Sequence, residues 1–185
     1  MSASSTASRR REFAFGHSYF VQRLLGSSAL ALLALIVLGL QFGTPGGWIA
    51  ALAILFGVSI LVWGLSPLLT THWLTTTRLV LRQGWYFRAA IPIREIESVT
   101  KYDGDAPLGL GAPLGRRRLY ATGSKVGLLS VKLRRPRRFW AVLGAEVDEI
   151  VFDVDSPDAF LDAFGGRQAS LAPVEAKRPD PYLRD

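Results

Sequence analysis

Nine Lys and Arg side chains lie between Ala106 and Ala145, a segment that contains no Asp or Glu. Cationic side chains bind phosphates and carboxylates, so this segment predicts a surface for anionic lipid headgroups or an acidic partner. Near an anionic leaflet each contributes on the order of 1 kcal/mol, and about four or five facing a bilayer would hold a domain against it. The alternative is a solvated positive surface without a ligand. The candidate binding residues are Arg116, Arg117, Arg118, Lys125, Lys132, Arg134, Arg135, Arg137 and Arg138.

The following segment, from Glu146 to Asp162, has seven acidic residues and no basic one. Asp153 and Asp155 offer only a fragment of the alternating oxygen ligands in a divalent-cation loop, so we predict no metal site. Asp155 and Asp158 lie instead at the start of a predicted helix, where carboxylates stabilise the helix dipole. The acidic segment could also pair with the basic segment, either within one molecule or between neighbours.

Residues suited to catalysis are few. His17 and His72 are the only histidines, and without a Cys or a carboxylate at fixed spacing we expect them to be polar caps at an interface. No HExxH or GxSxG pattern occurs, and Ser124 and Lys125 are neighbours rather than a spaced dyad. We therefore predict no catalytic residue, no enzymatic activity and no cofactor. The enzymatic alternative would use His17 or His72 at the membrane.

Two further ligand classes are not favoured. The glycines from Gly109 to Gly115 have GxGxxxG spacing, and neither a helix nor Lys-Ser/Thr follows, so a nucleotide-binding loop is not predicted. We expect a flexible loop in which Leu108, Leu110 and Leu114 either dip into a bilayer or pack on their own domain. Aromatic residues are not interleaved with the arginines as in single-strand binding proteins, so nucleic acid is not a predicted partner.

The elements that position these residues begin with a membrane anchor. No Asp, Glu, Lys or Arg lies between Arg23 and Arg78. The uncharged run divides into residues 24–42 and 48–69, each close to the ~20 apolar residues that cross a ~30 Å hydrocarbon core as a helix. The turn-like residues 43–47 join them. We therefore predict a two-helix transmembrane hairpin.

Basic residues orient this hairpin, because short flanks rich in Lys and Arg stay on the cytoplasmic side. Arg9, Arg10, Arg11 and Arg23 precede the first span and Arg78 and Arg82 follow the second, whereas the connecting turn has no basic residue. We predict a multi-pass protein of the inner cell membrane with both termini in the cytoplasm. The net charge of +7 suits a surface beside anionic lipid.

The remaining chain reads as one small domain. Its β-branched and aromatic content and its turn residues predict seven short strands, which indicate a sandwich or barrel. Ser156 and Pro157 then open a helix that Gly165 and Gly166 end, with Phe160 and Phe164 on its buried face. The predicted strands are 74–81, 85–91, 96–102, 119–121, 126–133, 139–143 and 149–154.

Two sequence patterns carry a family resemblance. Residues 79–84 (LVLRQG) followed by 91–99 (IPIREIESV) resemble the strand, glycine turn and IPxxxIxxV signature of bacterial PH-like (pleckstrin-homology-like) domains. Residues 155–161 (DSPDAFL) are similar to the start of that family's capping helix. The resemblance implies seven strands in two nearly orthogonal sheets plus a C-terminal helix. The tryptophan of many eukaryotic PH helices is missing, so Phe160 or Phe164 would fill its role.

Together these features predict an α+β membrane protein: a transmembrane hairpin followed by a PH-like seven-stranded β-barrel or sandwich with a capping helix. The expected regions are a basic cytoplasmic tail (1–23), the hairpin (24–70), the PH-like domain (71–166) and a disordered C-terminal tail (167–185). The expected function is that of a scaffold or adaptor that binds a protein, a peptide or anionic phospholipid headgroups. The alternative is a structural protein that forms homo-oligomers through the PH-like domain.

Overall fold

The computed structural model describes residues 10–42, 46–113 and 115–171. Residues 1–9, the centre of the turn between the two spans, Leu114 and residues 172–185 lie outside the described residues. Of the tail predicted to be disordered (167–185), the described residues 167–170 are helical instead. The described residues form two apolar helices, two β-sheets and a C-terminal helix.

Two helices are long and apolar enough to cross a membrane. Helix α1 spans Ser18–Phe42, and helix α2 spans Gly46–Ser59 and continues through a π-helical turn, Ile60–Leu65, into the short helix α3, Ser66–Leu68. Only 6% and 11% of their apolar windows are buried within the protein. Core helices of soluble proteins are mostly buried, whereas these helices present apolar side chains outward, as a lipid-facing helix does.

The first sheet contains four antiparallel strands in sequential order: β1 (Arg11–Phe13), β2 (His72–Leu74), β3 (Arg78–Gln83) and β4 (Phe87–Pro92). Strand β1 comes from the segment that was predicted to be a tail, and it pairs with β2 on the other side of the hairpin. The domain therefore includes residues on both sides of the two helices. Three residues are too few for a sequence pattern, although the buried Phe13 is what fixes β1 on the core.

The second sheet contains five strands in the order β5-β8-β9-β7-β6. Strands β7 and β9 are parallel, and the other pairs are antiparallel. The described chain thus has nine strands rather than seven, and its sheets do not close into a barrel. The bounds are β5 (Ile96–Lys101), β6 (Gly109–Gly111), β7 (Arg118–Thr122), β8 (Leu128–Phe139) and β9 (Ala145–Asp153).

Several predicted element boundaries were wrong. The strand predicted at 126–133 continues to Phe139, and Gly109–Gly111, predicted to be in a flexible loop, form β6 beside β7. The strand expected at 139–143 is a 3-10 turn, Trp140–Val142, because Leu143 adopts a left-handed conformation (φ 56°) that ends strand pairing. The last helix, α4, spans Pro157–Ser170 and passes through Gly165 and Gly166 without ending there. Proline does occupy its first turn, as predicted.

Helix α4 closes the core between the sheets. Phe160 is fully buried, and its ring lies 4.9 Å from that of Phe13 and 5.4 Å from that of Phe152. Phe164 is also buried and stacks on Phe160. Both phenylalanines are therefore buried in the core, as predicted for this face of the helix. Phe160 also contacts Phe13 of the first sheet.

A network of hydrogen bonds attaches the start of α1 to the domain. The backbone N–H groups of Gly16 and Gly123 each donate to the Asp153 carboxylate at 2.7 Å, and the Ser124 hydroxyl donates to it at 3.0 Å. The N–H of Tyr19, in the first turn of α1, donates to the Gly123 carbonyl. This network, which we call the Asp153 clamp, holds the chain at the point where it enters the first apolar helix.

A second attachment joins the end of the apolar helices to the β3–β4 turn. The N–H of Gly84 donates to the Thr70 hydroxyl at 3.0 Å, and the N–H of Trp85 donates to the Ser66 hydroxyl at 3.2 Å. The rings of Trp63 and Tyr86 lie 4.6 Å apart across the same junction. The β-domain is therefore held at both ends of the helical hairpin.

Close backbone approach at the clamp generates a stability prediction. A Cβ at Gly123 would overlap the Gly16 carbonyl, so Gly123→Ala should destabilise the protein by about 1–3 kcal/mol through overpacking. Gly166→Ala is the matched control, because a Cβ there meets no atom within 4 Å and alanine favours the helix. Thermal unfolding of both variants checks this. Equal melting temperatures for the two variants would contradict the clamp.

Candidate functional site

Most of the nine predicted cations are paired with carboxylates inside the protein. Six of them make ion pairs, so their charges are largely compensated before any ligand arrives. The pairs are Arg117 with Glu146, Arg118 with Glu149, Lys125 with Asp105, Lys132 with Glu97, Arg137 with Glu95, and Arg138 with Glu146. The segment is basic in sequence, yet the fold distributes its charges over several faces.

Arg118 is the most strongly held of these cations. Its Nε donates to Glu149 Oε2 at 2.6 Å, and its Nη1 donates to the hydroxyl groups of Tyr102 and Tyr120 at 3.2 and 3.4 Å. These hydrogen bonds, with that to Tyr120 foremost, raise the pKa of the Arg118 guanidinium above its usual range. Glu149 also accepts a hydrogen bond from Ser130. Arg118 therefore connects three strands and is committed to the fold.

The acidic segment, residues 146–162, forms ion pairs with the basic segment, which was one of the two roles expected for it. Glu146 and Glu149 pair with the basic segment within one molecule, because β8, β9 and β7 are neighbours in the second sheet. The exposed Asp158, at the start of α4, pairs with Lys101 of β5. No group of three His, Cys, Asp or Glu side chains suited to a metal ion occurs in the described residues.

Three arginines without a carboxylate partner meet at one end of the domain. Arg78, Arg94 and Arg134 are exposed, and within the described residues their side chains make no ion pair or hydrogen bond. They line two adjoining concave surfaces of about 280 and 380 Å³ that share Arg94 and Leu171. We call this surface the distal cleft. Arg134 belonged to the predicted set, whereas Arg78 was used only to orient the hairpin and Arg94 only as part of a turn.

The distal cleft lies at the end of the domain away from the helices. Strand β3 begins at Arg78 and ends at Gln83, beside the Gly84 turn that bonds to the hairpin. Five residues of extended strand span about 17 Å, which is roughly twice the Debye length of about 8 Å at physiological ionic strength. A bilayer around the helices would therefore act weakly on Arg78.

A second concave surface lies beside the helices, between the edge strand β4 and the end of β8. This groove of about 330 Å³ is lined by residues 86–90 and 137–141. Arg137 Nη1 donates to the Ala90 carbonyl at 3.1 Å and so bridges the gap between the two sheets. Burial raises the pKa of Tyr86 to about 12, so its hydroxyl stays neutral at physiological pH.

The two histidines make aromatic contacts near the flanks of the apolar helices. His72 is fully buried in the first sheet, its ring stacks on Phe15 with centroids 4.6 Å apart, and its Nδ1 accepts the backbone N–H of Arg82. His17 also contacts Phe15, with ring centroids 5.0 Å apart. Both histidines pack beside the Asp153 clamp, where they join the flanks of the two helices.

The free-energy cost of burying the Asp153 carboxylate is offset by the hydrogen bonds that it accepts. Desolvation raises the pKa of Asp153, although the hydrogen bonds from Gly123, Gly16 and Ser124 act in the opposite direction. Sequence reasoning weighed Asp153 only as part of a metal loop, and missed the two glycines altogether. The sequence shows an acidic residue at the end of a hydrophobic strand. It does not show that this residue binds Gly16, which lies 137 residues earlier.

The fold and this site define an α+β chain with two helices that could span a membrane. Its β-domain is attached to the chain just before the first helix and just after the second. Comparison with known proteins adds no family: no family profile, curated protein or solved structure matches the chain.

The buried histidine generates a pH prediction. Desolvation lowers the pKa of His72 from 6.5 to about 3 in the folded protein. The unfolded chain therefore binds the proton first, and stability is lost as the pH falls below about 6.5, by up to about 1.4 kcal/mol per unit. His72→Asn keeps an acceptor for the Arg82 N–H and removes the titration.

Unfolding free energies of the wild type and His72→Asn, measured between pH 7 and about pH 4.5, should converge as the pH falls. Asp153 is present in both proteins, so its contribution cancels in the difference. A constant difference across this range would show that His72 is not the titrating group.

Proposed function

We propose that this protein is a non-enzymatic adaptor of the inner cell membrane, with two transmembrane helices and a cytoplasmic β-domain that binds an acidic segment of a partner protein in the distal cleft. The observation that carries the proposal is a group of three arginines, Arg78, Arg94 and Arg134, at the end of the domain opposite the helices, which make no ion pair with any residue that the structure describes. Guanidinium groups in a concave surface suit carboxylates, which they bind in bidentate fashion.

The proposed topology draws on the flanks of the hairpin. Arg11 aligns with Leu74 and Phe13 with His72, so the segments before and after the helices are hydrogen-bonded to each other. Such pairing requires both flanks to be on one side of the membrane. The excess of Arg in both flanks favours the cytoplasmic side.

Intramolecular ion pairs favour a protein partner over the other candidates. Oligomerisation through opposed charge segments would use groups such as Glu146 and Glu149, which already pair with arginines of their own chain. Binding of anionic headgroups by the whole basic segment would need cations on one membrane-facing surface, yet Arg134 lines the distal cleft. An acidic protein segment needs only the three arginines of the distal cleft.

The PH-like relationship remains part of the proposal. Two packed sheets and a C-terminal helix whose phenylalanines enter the core support it. The β1 strand from before the helices and the parallel pairing of β7 with β9 depart from the expected seven-stranded arrangement. The adaptor function rests on the distal cleft and does not require the PH-like assignment.

A peptide-binding experiment tests the cleft. The full chain is placed in nanodiscs of zwitterionic phosphatidylcholine and titrated with a fluorescent polyglutamate peptide, with anisotropy as the readout. Arg94→Gln should weaken binding about tenfold, equivalent to about 1.4 kcal/mol, because Arg94 borders both parts of the cleft. The triple variant Arg78→Gln, Arg94→Gln, Arg134→Gln should abolish it.

Lys125→Gln is the matched control, because Lys125 is an exposed cation that is already paired with Asp105 at 2.7 Å. It should leave the affinity unchanged. If Lys125→Gln weakens binding as much as Arg94→Gln, the peptide responds to net charge and the cleft is not a site. If the triple variant loses binding to anionic vesicles and keeps binding to the peptide, the cleft is a lipid site instead.

A further inference from the structure

The turn between β8 and β9 exposes large apolar side chains. We call residues 140–144 the tip. Trp140 is 93% exposed and Leu143 is 100% exposed, although both side chains are costly to leave in water. The tip is an ordered turn, since the N–H groups of Leu143 and Gly144 donate to the carbonyls of Trp140 and Phe139. Its leucine also adopts a left-handed conformation that residues other than glycine seldom occupy.

The course of β8 directs the tip toward the end of the domain that carries the helices. Arg134 lies in the distal cleft, Arg137 reaches Ala90 in the middle of β4, and the ring of Phe139 lies 6.5 Å from that of Phe87 at the start of β4. This half of β8 therefore runs from the distal end toward the β3–β4 turn. The tip follows Phe139 and extends the same course.

Aromatic side chains near the tip mark the level of the helix ends. Tyr86 and Trp140 line the same groove, and Tyr86 contacts Trp63 in the last turns of the second apolar helix. Trp85, in the same β3–β4 turn, is more than half exposed. Indole rings favour the headgroup layer of a bilayer, which places the tip beside that layer when the helices span a membrane.

We propose that the tip inserts Trp140 and Leu143 into the boundary between headgroups and acyl chains, as a second contact between the domain and the bilayer. The occupant is the leaflet in which the hairpin ends. Two of the three arginines that line the groove beside the tip, Arg137 and Arg138, are paired with Glu95 and Glu146, and the third, Arg88, lies over the ring of Trp73. Insertion is therefore driven mainly by apolar burial and resists salt. The contact is independent of partner binding in the distal cleft.

The sequence contains no cysteine, so a spin label attached to one introduced cysteine gives a signal from that position alone. Leu143→Cys carries a nitroxide spin label in full-length protein reconstituted into vesicles of phosphatidylcholine and phosphatidylglycerol. Gln168→Cys is the control, because Gln168 is exposed on the last helix and lines the distal cleft. Collision of each label with oxygen, which concentrates in lipid, is compared with collision with a water-soluble nickel chelate.

We expect the Leu143 label to collide preferentially with oxygen and the Gln168 label with the nickel chelate, at both low and high salt. Adding Trp140→Ser should shift the Leu143 label toward water. An aqueous profile at Leu143 would overturn the proposal. So would a lipid profile at both positions, which means that the domain lies flat, or a loss of insertion at high salt, which means that charges hold the tip.

Discussion

The Asp153 carboxylate joins parts of the chain that are far apart in the sequence. It accepts the N–H of Gly16 just before the first apolar helix and that of Gly123 after β7, and it is largely withdrawn from water. A buried carboxylate that lost one of these donors would keep its desolvation cost without compensation. The hydrogen bond of Gly16 to β9 lies between two other attachments of this segment, the pairing of β1 with β2 and the stacking of Phe15 on His72.

Ion pairing changes the meaning of the basic segment. A run of arginines in the sequence suggests one cationic surface, whereas the fold places carboxylates from β5, β9 and the neighbouring turns beside six of the nine cations. Exposed pairs of this kind add little stability, but they do neutralise the local field. The distal cleft gathers cations from three separate parts of the chain, of which Arg78 and Arg94 lie outside the basic segment. Arg116 and Arg135 of the basic segment also make no ion pair within the described residues, and they do not line this cleft.

Sequence reasoning predicted the elements whose signals are local. The two apolar helices follow from an uncharged run, and the start of α4 follows from Ser156 and Pro157. Strand β1 was missed because three residues have no period, and the 3-10 turn at Trp140 was missed because the apolar residues around it resemble a strand. The distal cleft and the Asp153 clamp depend on how strands that are far apart in the sequence align with each other. That alignment cannot be deduced from a single sequence.

The pairing of β1 with β2 also constrains how the protein is made. A ribosome delivers β1 first, then both apolar helices, and only then the strand that β1 needs. Until the second helix has returned the chain to its starting side, both strands have an open edge, which invites pairing with other chains. In the proposed transmembrane topology, completion of the first sheet thus requires that both crossings have succeeded, and a copy with one crossing leaves β1 without its partner strand.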